Sequence, residues 1–167
     1  MNVVCLDMEG VLVPEIWIAF AQASGIPELK RTTRDEPDYD KLMRWRLGIL
    51  KGARPWSEGN SGDHRTIDPL PGAKEFLDEL RSMTQVIILS DTFEEFAQPL
   101  MKKLAGPPSS ATAWRWPPAE ITGFRMRCEQ SKLTTVKGLQ SIGYETIAAG
   151  DSYNDLGMIR PARRAPV

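Results

Sequence analysis

Val3-Val4-Cys5-Leu6-Asp7-Met8-Glu9-Gly10 is a short apolar run that stops at an acid, with a second acid two positions on and then a glycine. The pattern recurs twice. Val86-Ile87-Ile88-Leu89 stops at Ser90-Asp91-Thr92, and Thr146-Ile147-Ala148-Ala149 stops at Gly150-Asp151. Runs of this kind, apolar without polar alternation, read as strands buried on both faces of a parallel sheet. Helical periodicity fills the gaps. Residues 72–82 set Phe76, Leu77 and Leu80 on one stripe, 92–104 set Phe93, Phe96, Leu100 and Leu104, and 131–142 set Leu133, Val136 and Leu139. Strands alternating with helices predict an α/β fold, a doubly wound parallel (Rossmann-like) sheet. Ligands of such sheets bind outside the carboxyl ends of the strands. All three runs carry an acid or a hydroxyl at that edge.

Residues 14–68 break the alternation. Ile16 to Ala23 and Tyr39 to Leu50 read as helices, the second with Leu42, Met43, Arg46, Leu47 and Leu50 on neighbouring turns, and no strand pattern lies between them. The segment is expected to be a small helical cap inserted after the first strand, which leaves 1–13 and 69–167 as the catalytic core.

Composition bounds the function. The 167 residues suit one domain with an insertion, and 41% hydrophobic with 26% charged residues is ordinary for a soluble globular protein. A net charge of -1 advertises no basic surface for nucleic acid or membrane. No basic leader precedes the first apolar run, and no apolar stretch approaches the roughly 20 residues that span a bilayer. Cys5 and Cys128 form no spaced framework, which fits a reducing, cytoplasmic compartment. No internal repeat is found.

The strand ends carry the chemistry. Asp7 and Glu9, two apart on an extended turn, can face one site, as a carboxylate nucleophile and its acid/base partner must. Ser90-Asp91-Thr92 can cradle a phosphate or simply cap the following helix. Asp151 and Asp155, four apart beside Asn154, suit an oxygen-ligand Mg²⁺ site, the alternative being an Asx turn that starts a helix. Lys132, at the start of the helix before the third strand, can balance the charge of nucleophile and phosphate; a lone lysine is otherwise a solvated surface group.

Asp7-x-Glu9, Ser90, Lys132 and Asp151 with Asp155, in that order, resemble the haloacid dehalogenase-like phosphatase superfamily. DMEGVLVPEIWIAFA, TTRDEPDYDKLM, ILSDTFEEFAQPLM and IAAGDSYND narrow the likeness to its bifunctional phosphoserine phosphatase / homoserine phosphotransferase group. The resemblance implies that Asp7 is the nucleophile and that Glu9, where the superfamily usually has Asp, is the general acid/base. It implies Mg²⁺ held by Asp7, the backbone carbonyl of Glu9 and Asp151, with Asp155 orienting the metal waters and Asn154 at the phosphoryl group. It also implies that Glu15 and Arg46 take the amino-acid end of the substrate, a reading their chemistry allows: a carboxylate for the ammonium and a guanidinium fork for the carboxylate. Phosphoserine and homoserine are the implied small-molecule partners. A phosphatase of another small phosphomonoester, or an inactive scaffold that only binds Mg²⁺ or phosphate, are the other readings.

Three stretches lose the pattern between well-matched neighbours: 51–65, 105–118 and the final 160–167. They read as out-of-frame segments. His64, inside the first, is expected at the surface.

Overall fold

The computed structural model describes residues 1–52, 67–92, 94–104 and 130–162. The strands are β1 (Asn2–Leu6), β2 (Gln85–Ile88) and β3 (Glu145–Ala149). The helices are α1 (Ile16–Ser24), α2 (Tyr39–Gly52), α3 (Ala73–Met83), α4 (Glu94–Lys103), α5 (Ser131–Ser141) and α6 (Leu156–Ile159), with 3-10 turns at Pro27–Lys30 and Tyr153–Asp155. The three strands pair in parallel in the order β2-β1-β3, so the chain leaves the central strand on one side and returns on the other. Leu6 stands in register with Ile88 on one flank and Ala149 on the other, which brings all three strand ends level.

Alternation along β1 divides the core. Val4 and Leu6 join Leu77 of α3 and Ala97, Leu100, Met101 and Leu104 in and after α4. Val3 and Cys5 join Val136 of α5, Ala148 of β3 and Met158 of α6. The sheet is therefore covered on both faces, the doubly wound arrangement expected, and this is why its strands are largely apolar after their polar first residues. Helices α1 and α2 add Ile16, Trp17, Phe20 and Met43 to the first of these clusters. Trp17 and Phe20 meet edge to face, with ring centroids 5.9 Å apart.

The apolar stripe of α3 differs from the expected one. Ala73, Leu77 and Leu80 face inward, whereas Phe76 is 48% exposed. The i, i+4, i+7 ladder from Ala73 already fills the buried face, and Phe76 lies on its edge, about 60° round the helix from Ala73. The buried face of α2 is as read: Leu42, Met43, Arg46 and Leu47 are buried and Leu50 is half-buried. Phe93, the Phe96 side chain, Cys128 and His64 lie outside the described residues, as do the suspected out-of-frame stretches apart from residues 51, 52 and 160–162. Among the described residues no helix is long and apolar enough to cross a membrane.

Candidate active site

The end of β1 is fixed by the sheet itself. The Asp7 N–H donates to Ala149 O at 2.9 Å, and the Leu89 N–H to Leu6 O at 2.8 Å. The chain then turns tightly, with the N–H groups of Leu12 and Val13 returning to Met8 O and that of Gly10 to Val13 O. Met8 is fully buried in the core, so the strand's alternation puts Asp7 and Glu9 together on the opposite side, facing a cleft. Gly10 has φ of 75°, and a side chain there would collide with the Asp151 carboxylate. Gly150 is in the same position toward Asp155. These two glycines let carboxylates from different strand ends converge.

Lys132 joins them. Its Nζ lies 2.9 Å from Asp7 Oδ1 and 2.6 Å from Asp155 Oδ1, and the three side chains are almost wholly buried. Burial alone would lower the lysine's pKa, but Asp7, Asp91 and Asp155 outweigh it and hold the ammonium well above its usual range. Burial pushes the Asp7 carboxyl up to about 8, opposed chiefly by Lys132. Asp155 has no exposed surface, and its second oxygen accepts the Ser152 N–H and hydroxyl, each at 2.9 Å. The local cap is thus a capping box led by Ser152 rather than the Asx turn expected, and Asp155 serves it while also facing Lys132.

Asp7, Asp151 and Asp155 each offer an oxygen, and these oxygens lie within 4.8 Å of one another. A hard, oxygen-only donor set of this kind fits a divalent cation such as Mg²⁺. Asp155, already saturated by Lys132 and Ser152, fits a supporting place better than a direct one. The Glu9 side chain is not part of this group, and its Oε2 accepts the Ile16 N–H of α1 at 3.0 Å. Burial raises the Glu9 pKa, against that N–H, the charges of Lys132 and Arg46, and the Thr92 hydroxyl.

Ser90 is buried, and its hydroxyl accepts the Thr92 N–H at 3.2 Å. Asp91 accepts the Ser131 hydroxyl at 2.5 Å and Asn154 Nδ2 at 3.4 Å, while its backbone carbonyl accepts the Tyr39 hydroxyl at 2.6 Å. Glu15 and Arg46 line the same cleft from α1 and α2. Arg46 is buried, its guanidinium 4.3 Å over the Trp17 ring, with Nη2 donating to Arg31 O at 2.6 Å. Burial lowers its pKa to about 10, with Tyr39, Glu9 and Glu15 opposing. Its Nε is a buried donor without a partner among the described residues.

The structure thus brings every residue singled out in the sequence to one cleft or directly behind it. It adds Trp17, Thr32, Thr33, Arg34, Tyr39, Thr92 and Ser152 to the cleft. Arg34 approaches Asp151 at 3.9 Å from the loop before α2. The TTRDEPDYDKLM stretch held Thr32, Thr33 and Arg34, but an irregular loop has no periodicity to mark which of its residues turn inward, and Tyr39 opens α2, where periodicity is not yet established.

The chain matches the family described as haloacid dehalogenase-like hydrolase over residues 1–163. It is 48% identical to phosphoserine phosphatase ThrH of Pseudomonas aeruginosa, an alignment covering 97% of this chain and 80% of that one. It is 46% identical to a phosphoserine phosphatase of Pseudomonas syringae pv. tomato, covering 97% and 69%. Among solved structures, a phospho-aspartyl intermediate analogue of phosphoserine phosphatase superposes with a TM-score of 0.79 at 20% identity, over 98% of this chain and 84% of that one. Phosphoserine phosphatase from T. onnurineus superposes with a TM-score of 0.74 at 25% identity, over 98% and 82%.

Proposed function

This chain belongs to the haloacid dehalogenase-like hydrolase family, and on that premise we propose that it is a Mg²⁺-dependent phosphoserine phosphatase that can also pass the phosphoryl group to homoserine. The observation that carries the reading is the meeting of Asp7, Lys132, Asp151 and Asp155 at the level ends of three parallel strands.

In the reaction Asp7 attacks phosphorus, the bond to the serine oxygen breaks, and Glu9 delivers its proton to that oxygen. A phospho-aspartate remains on Asp7. Glu9, now a base, takes a proton from water or from the homoserine hydroxyl, and that oxygen displaces Asp7 from phosphorus. Asp7, Asp151 and the Glu9 carbonyl would hold Mg²⁺, with Asp155 behind, and the ion would supply positive charge to the phosphoryl oxygens. Lys132 favours the ionised form of Asp7 against burial and aims it, and the Ser90 hydroxyl and Asn154 amide donate to the phosphoryl oxygens.

The amino-acid end of the substrate goes to the cap side. Arg46 has a buried donor to satisfy, which a substrate carboxylate supplies, and Glu15 takes the ammonium. The described helices of the expected cap, α1 and α2, would keep bulk water from the intermediate. The unframed cysteines fit a cytoplasmic enzyme.

The test is phosphate release from O-phosphoserine, with and without Mg²⁺ and homoserine, with the products resolved by ³¹P NMR. Mg²⁺-dependent release, with phosphohomoserine formed when homoserine is present, is expected. Turnover of a generic phosphomonoester but not of phosphoserine would leave a phosphatase of another small substrate.

A further inference from the structure

Asp91 sits in the cleft beside the catalytic groups, where a further carboxylate would repel a phosphate dianion. Its oxygens are not turned to the cleft as free acceptors. One takes the Ser131 hydroxyl at 2.5 Å, the other the Asn154 amide at 3.4 Å. Ser131 is the first residue of α5 and the immediate neighbour of Lys132. Both are buried. Among the described residues the N-cap of α5 adds no side-chain bond: Gln130 holds φ of 48°, a conformation unfavourable to a residue with a side chain. Lys132 must nevertheless reach Asp7 and Asp155 at once. The hydrogen bond from Ser131 to Asp91 ties that starting point to the loop after β2.

We propose that Asp91 is a positioning residue: through Ser131 it anchors the first turn of α5 and so places the Lys132 ammonium between Asp7 and Asp155. The same residue's carbonyl receives Tyr39 of the cap, so the brace also stands where cap and core meet. This inference rests on the phosphoryl-transfer reading above, in which Lys132 serves the nucleophile.

The experiment compares Asp91→Ala, Asp91→Asn, Ser131→Ala and Asp91→Ala/Ser131→Ala with the wild type, on phosphoserine and on p-nitrophenyl phosphate, at saturating Mg²⁺. A positioning role lowers kcat at least about tenfold in Asp91→Ala and in Ser131→Ala while KM stays within about twofold. The double variant is no worse than either single one, because both cut the same link. Asp91→Asn, whose amide oxygen still accepts the Ser131 hydroxyl, recovers most of kcat. Should Asp91→Ala fail to fold, Ser131→Ala and Asp91→Asn alone still carry the comparison. A raised KM with kcat held would make Asp91 a substrate ligand and overturn the inference, as would single losses that multiply in the double variant. A wild type active on p-nitrophenyl phosphate but not on phosphoserine defeats the substrate reading and leaves this comparison intact on the former. A wild type active on neither defeats both.

Discussion

Lys132 and Asp7 come from elements 125 residues apart in sequence, yet the ammonium lies 2.9 Å from the carboxylate with both groups shut away from solvent. The pair is completed by Asp155 at 2.6 Å. Removing the lysine leaves two buried carboxylates facing each other. Lys132→Ala is expected to destabilise the fold by about 3–5 kcal/mol, read from urea unfolding. Its activity should be lost even where it remains folded.

Gly10 is the second test. Gly10→Ala puts a methyl group at φ of 75° against the Asp151 carboxylate. The backbone strain alone costs about 1–2 kcal/mol. The larger effect is expected on Mg²⁺ affinity, because Asp151 must move away from Asp7 to make room. A calorimetric Mg²⁺ titration reads it directly.

Mg²⁺ itself should stabilise the wild type. A ligand that binds only the folded state at about 100 times its Kd adds about 2.7 kcal/mol, or roughly 5–10 °C of melting temperature in a chain of this size. Asp151→Asn should abolish most of that shift while leaving the metal-free melting temperature nearly unchanged, since the side chain is 37% exposed.

Arg46→Lys tests the amino-acid end of the site. Lysine keeps a positive charge but loses the planar fork that stacks on Trp17 and offers the buried Nε. A charge-assisted contact of about 1.5–3 kcal/mol corresponds to a KM for phosphoserine raised about 10- to 100-fold. Turnover of p-nitrophenyl phosphate, which has no carboxylate or ammonium for the cap side, should change far less.

The fold and the core of the site were legible in the sequence for one reason: a fully buried parallel strand is apolar at every position and its carboxyl end is where chemistry collects. Three such runs ending in acids or hydroxyls sufficed to place Asp7, Ser90 and Asp151 at one edge. Helical periodicity placed Arg46 on the buried face of α2. It misjudged Phe76, because several apolar neighbours on a helix can each claim a stripe and only packing decides between them. Tyr39 and Ser131 went unseen for another reason. Their roles rest on single hydrogen bonds across 52 and 40 residues, and no local pattern encodes such a contact.

The central claim is that Asp7 carries the phosphoryl group. Rapid quenching of the enzyme during turnover of phosphoserine with Mg²⁺, followed by peptide mass spectrometry, tests it most directly. A hydroxylamine-sensitive phosphoryl group on Asp7, absent from Asp7→Asn, is the expected result. Turnover with no trapped acyl phosphate, and undiminished in Asp7→Asn, would contradict it.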